Sequence, residues 1–220
     1  MARQLRLSLG RDTQPSLDPF VRGPSNAAAA AAVESLPAGR EGCLAQVGPP
    51  GVGKSHLARA WAESAGALVV DPRDPDLAAA AGRPVLLENA DVELSQEGLF
   101  HLINLAARDG GGLLLTARTR PSTWSSDLPD LRSRLNALPV VEIGPPDDTV
   151  LEGVLRSFFK ARNIRPPEAI YPYLLTRMPR SIPDAAAIVQ RLDDAGDEGF
   201  RPVTRALARQ ILEAQGQLDI

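Results

Sequence analysis

Lysine, cysteine and aromatic residues are scarce in this 220-residue sequence. Only Lys54 and Lys160 are lysines among 24 basic residues, so a lysine inside a glycine-rich segment stands out. The single cysteine, Cys43, excludes an internal disulfide and therefore a secreted disulfide scaffold. Residues 1–10 lack the apolar core of a secretory signal, and no apolar run reaches the length of about 18 residues that spans a membrane. We therefore expect a cytoplasmic protein without a membrane segment.

The sequence also has no excess of basic over acidic residues, with 24 Lys and Arg against 27 Asp and Glu. The formal net charge is -3, whereas domains that bind nucleic acid by neutralising phosphates usually carry a basic excess or a basic face. We accordingly expect no direct sequence-specific DNA binding. The length suffices for an α/β core with a second, smaller domain.

A phosphate-binding loop is the strongest motif in the chain. Residues 48–55 read GPPGVGKS, which matches G-x-x-x-x-G-K-[ST] between a predicted strand at 43–47 and a predicted helix at 56–65. In such a loop the backbone N–H groups surround an anion, the lysine reaches the β and γ phosphates, and the hydroxyl holds Mg²⁺. The predicted nucleotide contacts are Gly48, Pro50, Gly51, Val52, Gly53, Lys54, Ser55 and His56.

The remaining pattern alternates strands with helices up to residue 144 and contains only helices beyond it. We predict strands at 67–70, 84–87, 112–116 and 140–143. We predict helices at 26–34 and 99–108, and the first of these has Ser25 or Asn26 as its N-terminal cap. Such alternation predicts a parallel sheet covered on both faces. Further helices are predicted at 149–162, 168–178, 182–196 and 203–215, which together form a small helical domain.

A P-loop ATPase also needs carboxylates at the end of a neighbouring strand, one for the metal and usually one that orients the attacking water. Residues 84–91 read PVLLENAD, which places Glu88 at the strand end and Asn89 next to it. Asp91 is a second candidate for the metal. Because an amide cannot act as a general base, the segment predicts a site that binds nucleotide but hydrolyses it weakly unaided.

Several segments resemble the ATPase domain of the bacterial replication initiator DnaA and its relatives, an AAA+ family. They are FVRGPSNA at residues 20–27, GPPGVGKSH at 48–56, DLRSRL at 130–135 and MPRSIPD at 178–184. The resemblance covers about residues 18–195. It implies an α/β P-loop AAA+ domain over 19–144 and a helical lid domain over 145–220.

Two features make the chain similar to one type of protein within that family, Hda. Proteins of the Hda type inactivate DnaA after replication starts. The chain ends near the lid, so we expect no helix-turn-helix DNA-binding domain. Residues 4–9 read QLRLSL, which resembles peptides that dock in the DNA polymerase III sliding clamp. We predict residues 1–18 to be a flexible tail that binds the clamp through Gln4, Leu5, Leu7 and Leu9; a random apolar tail is the alternative.

The resemblance also implies roles for individual residues. Phe20 and Val21 would lie near the adenine, Glu88 and Ser55 would hold the metal, and Arg180 would reach the nucleotide from the lid. Arg134 would be an arginine finger acting in trans, with Arg132 as its rival and a surface pairing with Asp130 or Glu142 as the alternative. The chain departs from the family at Asn89, Ala117 and Arg118, which puts its own turnover of ATP in doubt.

The resemblance thus implies a regulator that binds ADP or ATP with Mg²⁺, docks on the clamp and stimulates hydrolysis of DnaA-bound ATP. The first alternative is a stand-alone ATPase or helicase loader that remodels a partner with its own ATP. The second is a binding adaptor for which nucleotide is only a structural ligand. The sequence does not decide whether ADP or ATP is the active ligand. It also does not decide between a monomer and a homo-oligomer.

Overall fold

The computed structural model describes residues 20–36, 42–92, 95–108, 111–199 and 202–216. The tail predicted at 1–18, with Gln4, Leu5, Leu7 and Leu9, lies outside these residues. Within them, no helix combines the length and the apolar character needed to cross a bilayer.

Five parallel strands form a single sheet in the order β2-β3-β4-β1-β5. The strands are β1 (Cys43–Val47), β2 (Leu68–Val70), β3 (Val85–Leu87), β4 (Leu113–Ala117) and β5 (Val140–Glu142). The central strands β3 and β4 are buried along their whole length, as expected for a sheet with both faces covered. The predicted parallel sheet is confirmed, and its strand ends differ from the predicted ones by one residue at most.

Nine helices occur among the described residues, together with a short 3₁₀ turn at Pro121–Thr123. Two of them, α3 and α5, were not predicted as helices, and the helix predicted at 168–178 is shortened to six residues. The helices are α1 (Ala27–Ser35), α2 (Lys54–Ala65), α3 (Leu77–Ala80), α4 (Gln96–Arg108), α5 (Pro129–Ala137), α6 (Asp148–Ala161), α7 (Ile170–Leu175), α8 (Ile182–Gly199) and α9 (Arg205–Gly216).

Alternating side chains of the sheet pack into two separate apolar clusters. Ala45 and Val47 of β1 face a cluster that includes Leu99 and Leu102 of α4. Leu44 points to the other face, toward α1 and α2. Because successive strand residues point to opposite faces, the same short strand anchors both layers. The carboxyl end of β1 is thereby fixed between two helical layers.

Helices α6 to α9 contribute to a third apolar cluster of their own. Its centre contains Leu155 and Phe159 of α6, Tyr171 of α7, and Ile188 and Leu192 of α8, all at most 5% exposed. The rings of Phe159 and Tyr171 meet edge to face with centroids 6.0 Å apart. Burial of such side chains is worth about 1.5–3 kcal/mol each, so these helices have a substantial core.

The connection from β5 to α6 is held by a reciprocal pair of hydrogen bonds between Asp147 and Ser25. Ser25 N donates to Asp147 Oδ2 at 2.7 Å, and Asp147 N donates to Ser25 Oγ at 3.2 Å. Asp147 Oδ1 also caps α6 by accepting from Val150 N at 3.0 Å. Burial raises the pKa of this carboxyl, but the hydrogen bonds from Ser25, Val150 and Thr149 outweigh burial and hold the pKa below its usual range. Asp147 therefore ties the segment before α1 to the first turn of α6.

Replacing Asp147 with alanine should destabilise the protein by about 1–2 kcal/mol at pH 7, because it removes a helix cap and leaves Ser25 N without its acceptor. The folded-state pKa is depressed, so this stability is present above the unfolded pKa of about 3.9 and is lost as pH falls through the folded pKa. Urea unfolding of parent and variant between pH 7 and pH 3 checks this. The difference should shrink below about pH 4, and Asp74→Ala, in an exposed loop, should show neither effect.

Candidate functional site

The loop between β1 and α2 has a backbone that only glycine accommodates at its centre. Gly51 and Gly53 have φ of +78° and +99°, in the left-handed region. A Cβ on Gly51 would also lie 2.8 Å from Pro183 Cδ, and a Cβ on Gly48 would lie 2.3 Å from Ile143 O. The two glycines in the left-handed region and the tight approach at Gly48 are the features that the motif predicted for a phosphate cradle.

Lys54, the first residue of α2, is the buried cation of this loop. Its Nζ donates to Gly48 O at 2.7 Å and to Pro49 O at 2.9 Å, and the residue is only 9% exposed. Burial lowers the pKa of Lys54, Asp91 opposes that shift, and Arg118 adds to it. The loop therefore curls around the ammonium group at the amino end of a 12-residue helix, where the helix dipole also favours an anion.

Acidic residues lie beside the loop, as the order of the parallel strands requires. Glu88 and Asn89 directly follow β3, and Asn89 N donates to Thr116 Oγ1 of the neighbouring strand at 3.1 Å. Asp91 Oδ2 accepts from Arg118 N at 2.8 Å, at the end of β4. Glu88 Oε1 and Asp91 Oδ1 are buried and accept no hydrogen bond from a described residue. Two carboxylate oxygens at this edge of the sheet thus have no hydrogen-bond donor among the residues that the structure describes.

Arg59 of α2 binds Glu88, a contact that the sequence analysis missed. Arg59 Nε and Nη2 donate to the same oxygen, Glu88 Oε2, at 3.0 Å and 2.9 Å. The side chain of Glu88 is 14% exposed and that of Arg59 is 59% exposed. Arg59 lies on α2 beyond the phosphate-loop motif, and no motif marks it. The carboxylate predicted to hold the metal is therefore also the partner of an arginine.

The amino end of α8 closes over the phosphate loop. Ile182 N donates to Gly51 O at 3.2 Å, and Ile182 Cδ1 would lie 3.3 Å from a Cβ on Gly53. Arg180, predicted to reach the nucleotide, pairs with Asp148 Oδ1 at 2.8 Å and is half exposed. The structure thus brings the segment of Arg180 to the loop, with its guanidinium directed at the first turn of α6.

Phe20 and Val21 are the residues predicted to lie near the adenine, and Phe20 lies beside the same loop. The Phe20 ring lies 5.9 Å from that of His56, and its edge would be 3.8 Å from a Cβ on Gly53. Val21 packs against α6 so closely that a Cβ on Gly153 would lie 2.4 Å from Val21 Cγ1. Asn26 caps no helical N–H with its side chain; it donates from Nδ2 to Val21 O at 2.9 Å and thereby fixes this segment.

Arg134 lies away from this group, in the last turn of α5. Its guanidinium carbon is 5.4 Å from the centroid of the Phe100 ring. Burial raises the pKa of Cys43 to about 11, and Arg134 opposes that shift. Cys43 begins β1 and the phosphate loop follows its end, about 13 Å away at 3.3 Å per residue. Arg132 is exposed on the same helix.

The alternative pairing of Arg134 with Asp130 or Glu142 does not occur within the described part of the chain. Glu142 accepts from Arg120 Nε at 2.8 Å, and the contact found for Arg134 is the Phe100 ring. A guanidinium over an aromatic face is held mainly by the ring quadrupole, so its N–H donors stay available at the edge.

The residues present fit a nucleoside phosphate. The loop backbone, Lys54 and the start of α2 supply donors for phosphate oxygens, and the Phe20 edge supplies an apolar surface for a base. No group of three or more His, Cys, Asp or Glu residues that could bind a metal by itself occurs among the described residues. Mg²⁺ in phosphate sites is usually held by one or two carboxylates together with the phosphates. Ser55 with Glu88 or Asp91 would suffice for that.

Comparison with known proteins agrees with this geometry. Domain III of the Thermotoga maritima replication initiation protein DnaA superposes with a TM-score of 0.75 at 18% identity, covering 89% of this chain and 94% of that one. AMPPCP-bound DnaA of Aquifex aeolicus gives 0.66 at 19% identity over 84% and 68%. The chain thus has the fold of the AAA+ domain of DnaA. The T. maritima Holliday junction branch migration motor RuvB shares this fold, with a TM-score of 0.62 at 19% identity over 79% and 61%.

In sequence, the chain is 31% identical over 127 residues to the chromosomal replication initiator protein DnaA of Nautilia profundicola. The match covers 56% of this chain and 29% of the relative, so the chain spans less than a third of that protein. No family model matches the chain.

Replacing Lys54 with alanine should abolish ADP and ATP binding or weaken it at least about a hundredfold, because a charge-assisted contact within a partly buried loop is lost. Isothermal titration calorimetry with Mg²⁺ and each nucleotide measures this. Arg180→Ala serves as the matched comparison and should cost less, since it removes one exposed contact. Equal affinity of parent and Lys54→Ala would refute the loop as the nucleotide site.

Proposed function

We propose that this chain is a nucleotide-binding regulator of DNA replication initiation that stimulates hydrolysis of ATP bound to DnaA. The observation that carries the proposal is that the phosphate loop and Arg134 lie on different elements of one AAA+ fold. The phosphate loop packs against Phe20 and the amino end of α8, and Arg134 lies on a different element, in the last turn of α5 against the Phe100 ring. An arginine that contacts a ring of α4, with no hydrogen bond to its own phosphate loop among the described residues, is suited to a neighbour's nucleotide.

Weak turnover of its own nucleotide follows from the residues beside the loop. Glu88 shares its carboxylate with Arg59, and Asn89 stands where a water-orienting acid is needed. Bound Mg²⁺ would neutralise charge on the phosphates, and Ser55 with Glu88 or Asp91 would hold it. The nucleotide therefore serves chiefly to fix the loop against α8, and either ADP or ATP can do so.

Arg134 would act in trans as an arginine finger. Its stacking on Phe100 restrains the guanidinium while leaving N–H donors free to contact a γ phosphate. Such a finger stabilises charge that develops in the transition state and can raise hydrolysis by about three to five powers of ten. Conversion of ATP-bound DnaA to its ADP form would then limit re-initiation.

Docking on the DNA polymerase III sliding clamp is proposed for the tail, through Gln4, Leu5, Leu7 and Leu9. An extended peptide with alternate apolar residues can fill a hydrophobic pocket while a glutamine binds at its rim. Clamp docking would restrict the regulator to replicating DNA. Within this proposal, 1–18 is the docking tail, 19–144 the nucleotide-binding domain and 145–220 the lid, and the protein acts in the cytoplasm.

Replacing Arg134 with alanine tests the trans mechanism. The variant should fold, bind nucleotide and bind the clamp like the parent, because the contact found for the guanidinium is the Phe100 ring of α4 and not the phosphate loop. Hydrolysis of DnaA-bound ATP in a mixture with DNA-loaded clamp should fall at least about tenfold. Phosphate release from radiolabelled DnaA-ATP gives the rate.

Arg132→Ala is the internal control, since Arg132 lies on the same helix and is exposed on its surface. The finger role passes to Arg132 if that variant shows the larger loss. Parent-like stimulation by both variants would contradict a trans-acting finger and favour the binding adaptor. Steady turnover of ATP by the chain alone would instead favour a stand-alone ATPase or helicase loader.

A further inference from the structure

The two acidic side chains beside the phosphate loop differ in the groups that hold them. Glu88 Oε2 accepts two hydrogen bonds from the guanidinium of Arg59, at 3.0 Å and 2.9 Å. Asp91 Oδ2 accepts from the backbone N–H groups of Arg118 and Thr119, at 2.8 Å and 3.2 Å, and from Thr119 Oγ1 at 3.4 Å. Within the described part of the chain, Glu88 is thus paired with a cation, whereas the donors to Asp91 are neutral groups.

The pairing with Arg59 makes Glu88 a poor ligand for a second cation. Two N–H groups on one oxygen use both of its lone pairs, so Oε1 is the oxygen of Glu88 that has no donor among the described residues. A guanidinium stays charged throughout the pH range in which proteins work, so a metal ion at Glu88 would meet a like charge on the same carboxylate. The side chain of Glu88 is 14% exposed, and solvent and salt therefore screen this repulsion weakly.

Asp91 is joined to the first residue of the phosphate loop through the end of β4. Gly48 N donates to Ala117 O at 3.3 Å, and the N–H of the next residue, Arg118, donates to Asp91 Oδ2. One peptide group at the end of β4 therefore contacts the loop with its carbonyl and the carboxylate with its N–H.

The turn that carries Asp91 to this position is fixed by its own backbone. Asn89 has a φ of +54°, in the left-handed region that asparagine tolerates better than most side chains. Asn89 N donates to Thr116 Oγ1 at 3.1 Å, and Ala90 N donates to Thr116 O at 2.8 Å. The position of Asp91 therefore does not depend on Arg59.

We propose that Arg59 takes the place of a metal ion at Glu88. The Mg²⁺ that accompanies a bound nucleotide is held instead by Asp91 together with Ser55. This inference rests on the nucleotide-binding role proposed above, and it departs from the ligand Glu88 that the resemblance implied. Asp91 Oδ1 is buried and has no donor among the described residues, so it can bind a hard cation without displacing an arginine. Arg59 is then a positioning residue, because it acts on the metal through Glu88.

The test of the metal ligand is isothermal titration calorimetry with AMPPCP, a nucleotide that is not hydrolysed, in excess Mg²⁺ and in EDTA. The quotient of the two affinities, the metal ratio, reports how much the metal adds to binding. D91N should lower the metal ratio at least about tenfold, the usual scale for a group lost from a metal site. E88Q should lower it no more than about twofold, the scale expected of a group that does not interact with the metal.

Both substitutions keep the local hydrogen bonds. The asparagine of D91N retains an oxygen for Arg118 N, and the glutamine of E88Q retains one for Arg59. A changed metal ratio therefore reports the lost charge and not a rearranged turn. If E88Q lowers the metal ratio more than D91N does, Glu88 is the ligand and the proposal is wrong.

R59M tests the arginine itself. Methionine removes the charge and frees Glu88, so the metal ratio should rise about threefold or more, within the range for groups that are coupled. Arg59 is 59% exposed, so the variant should fold. The rise should be absent from R59M/E88Q, because the arginine acts only through that carboxylate. The matched control is R83M, an exposed arginine before the amino end of β3, which should stay within about twofold of the parent.

An unchanged metal ratio in R59M, or a rise that persists in R59M/E88Q, would overturn the role of Arg59. The titration in EDTA reports the phosphate loop alone, so a parent that binds no AMPPCP under either condition would refute the nucleotide site itself. Stimulation of DnaA is measured in a separate mixture and does not enter the metal ratio. Failure of the metal assignment is thereby distinguished from failure of the proposed function.

Discussion

The contact between the amino end of α8 and the phosphate loop is the constraint on which the site depends. Pro183 lies where any side chain at position 51 would be, and Ile182 N donates to Gly51 O. The loop must therefore be glycine-rich both to surround a phosphate and to accept the helix. Because α8 belongs to the core of the C-terminal helices, the state of the loop and the position of those helices are physically linked.

Much of the α/β core could be predicted because the sequence patterns that mark it lie within short segments of the chain. Apolar runs bounded by turns marked the five strands, and the loop motif marked the carboxyl end of β1. Helix α5 was missed because its sequence, PDLRSRLNA, is mostly polar with only Leu131 and Leu135 buried. Tertiary contacts hold such a helix, and periodicity does not reveal them.

The partners of the arginines could not be predicted from sequence either, because they too depend on tertiary contacts. The pairs Arg59 with Glu88 and Arg180 with Asp148 join residues far apart in the chain, and they meet because of the strand order and the packing of α6 against α8. Arg177 and Arg205 meet over Tyr173 from two different segments. The residue types at the candidate site could be named from sequence, but whether each arginine faces an acid, a ring or a ligand could not.

We propose above all that this chain acts on DnaA while it is docked on the clamp. The most direct measurement is the rate of hydrolysis of DnaA-bound ATP with this protein and DNA-loaded clamp together, compared with each alone. We expect the rate to rise at least about tenfold only when both are present, and we expect this increase to be lost when Gln4, Leu5 and Leu7 are replaced by alanine. A rate that is the same with and without this protein, or a stimulation that does not need the clamp, would contradict it.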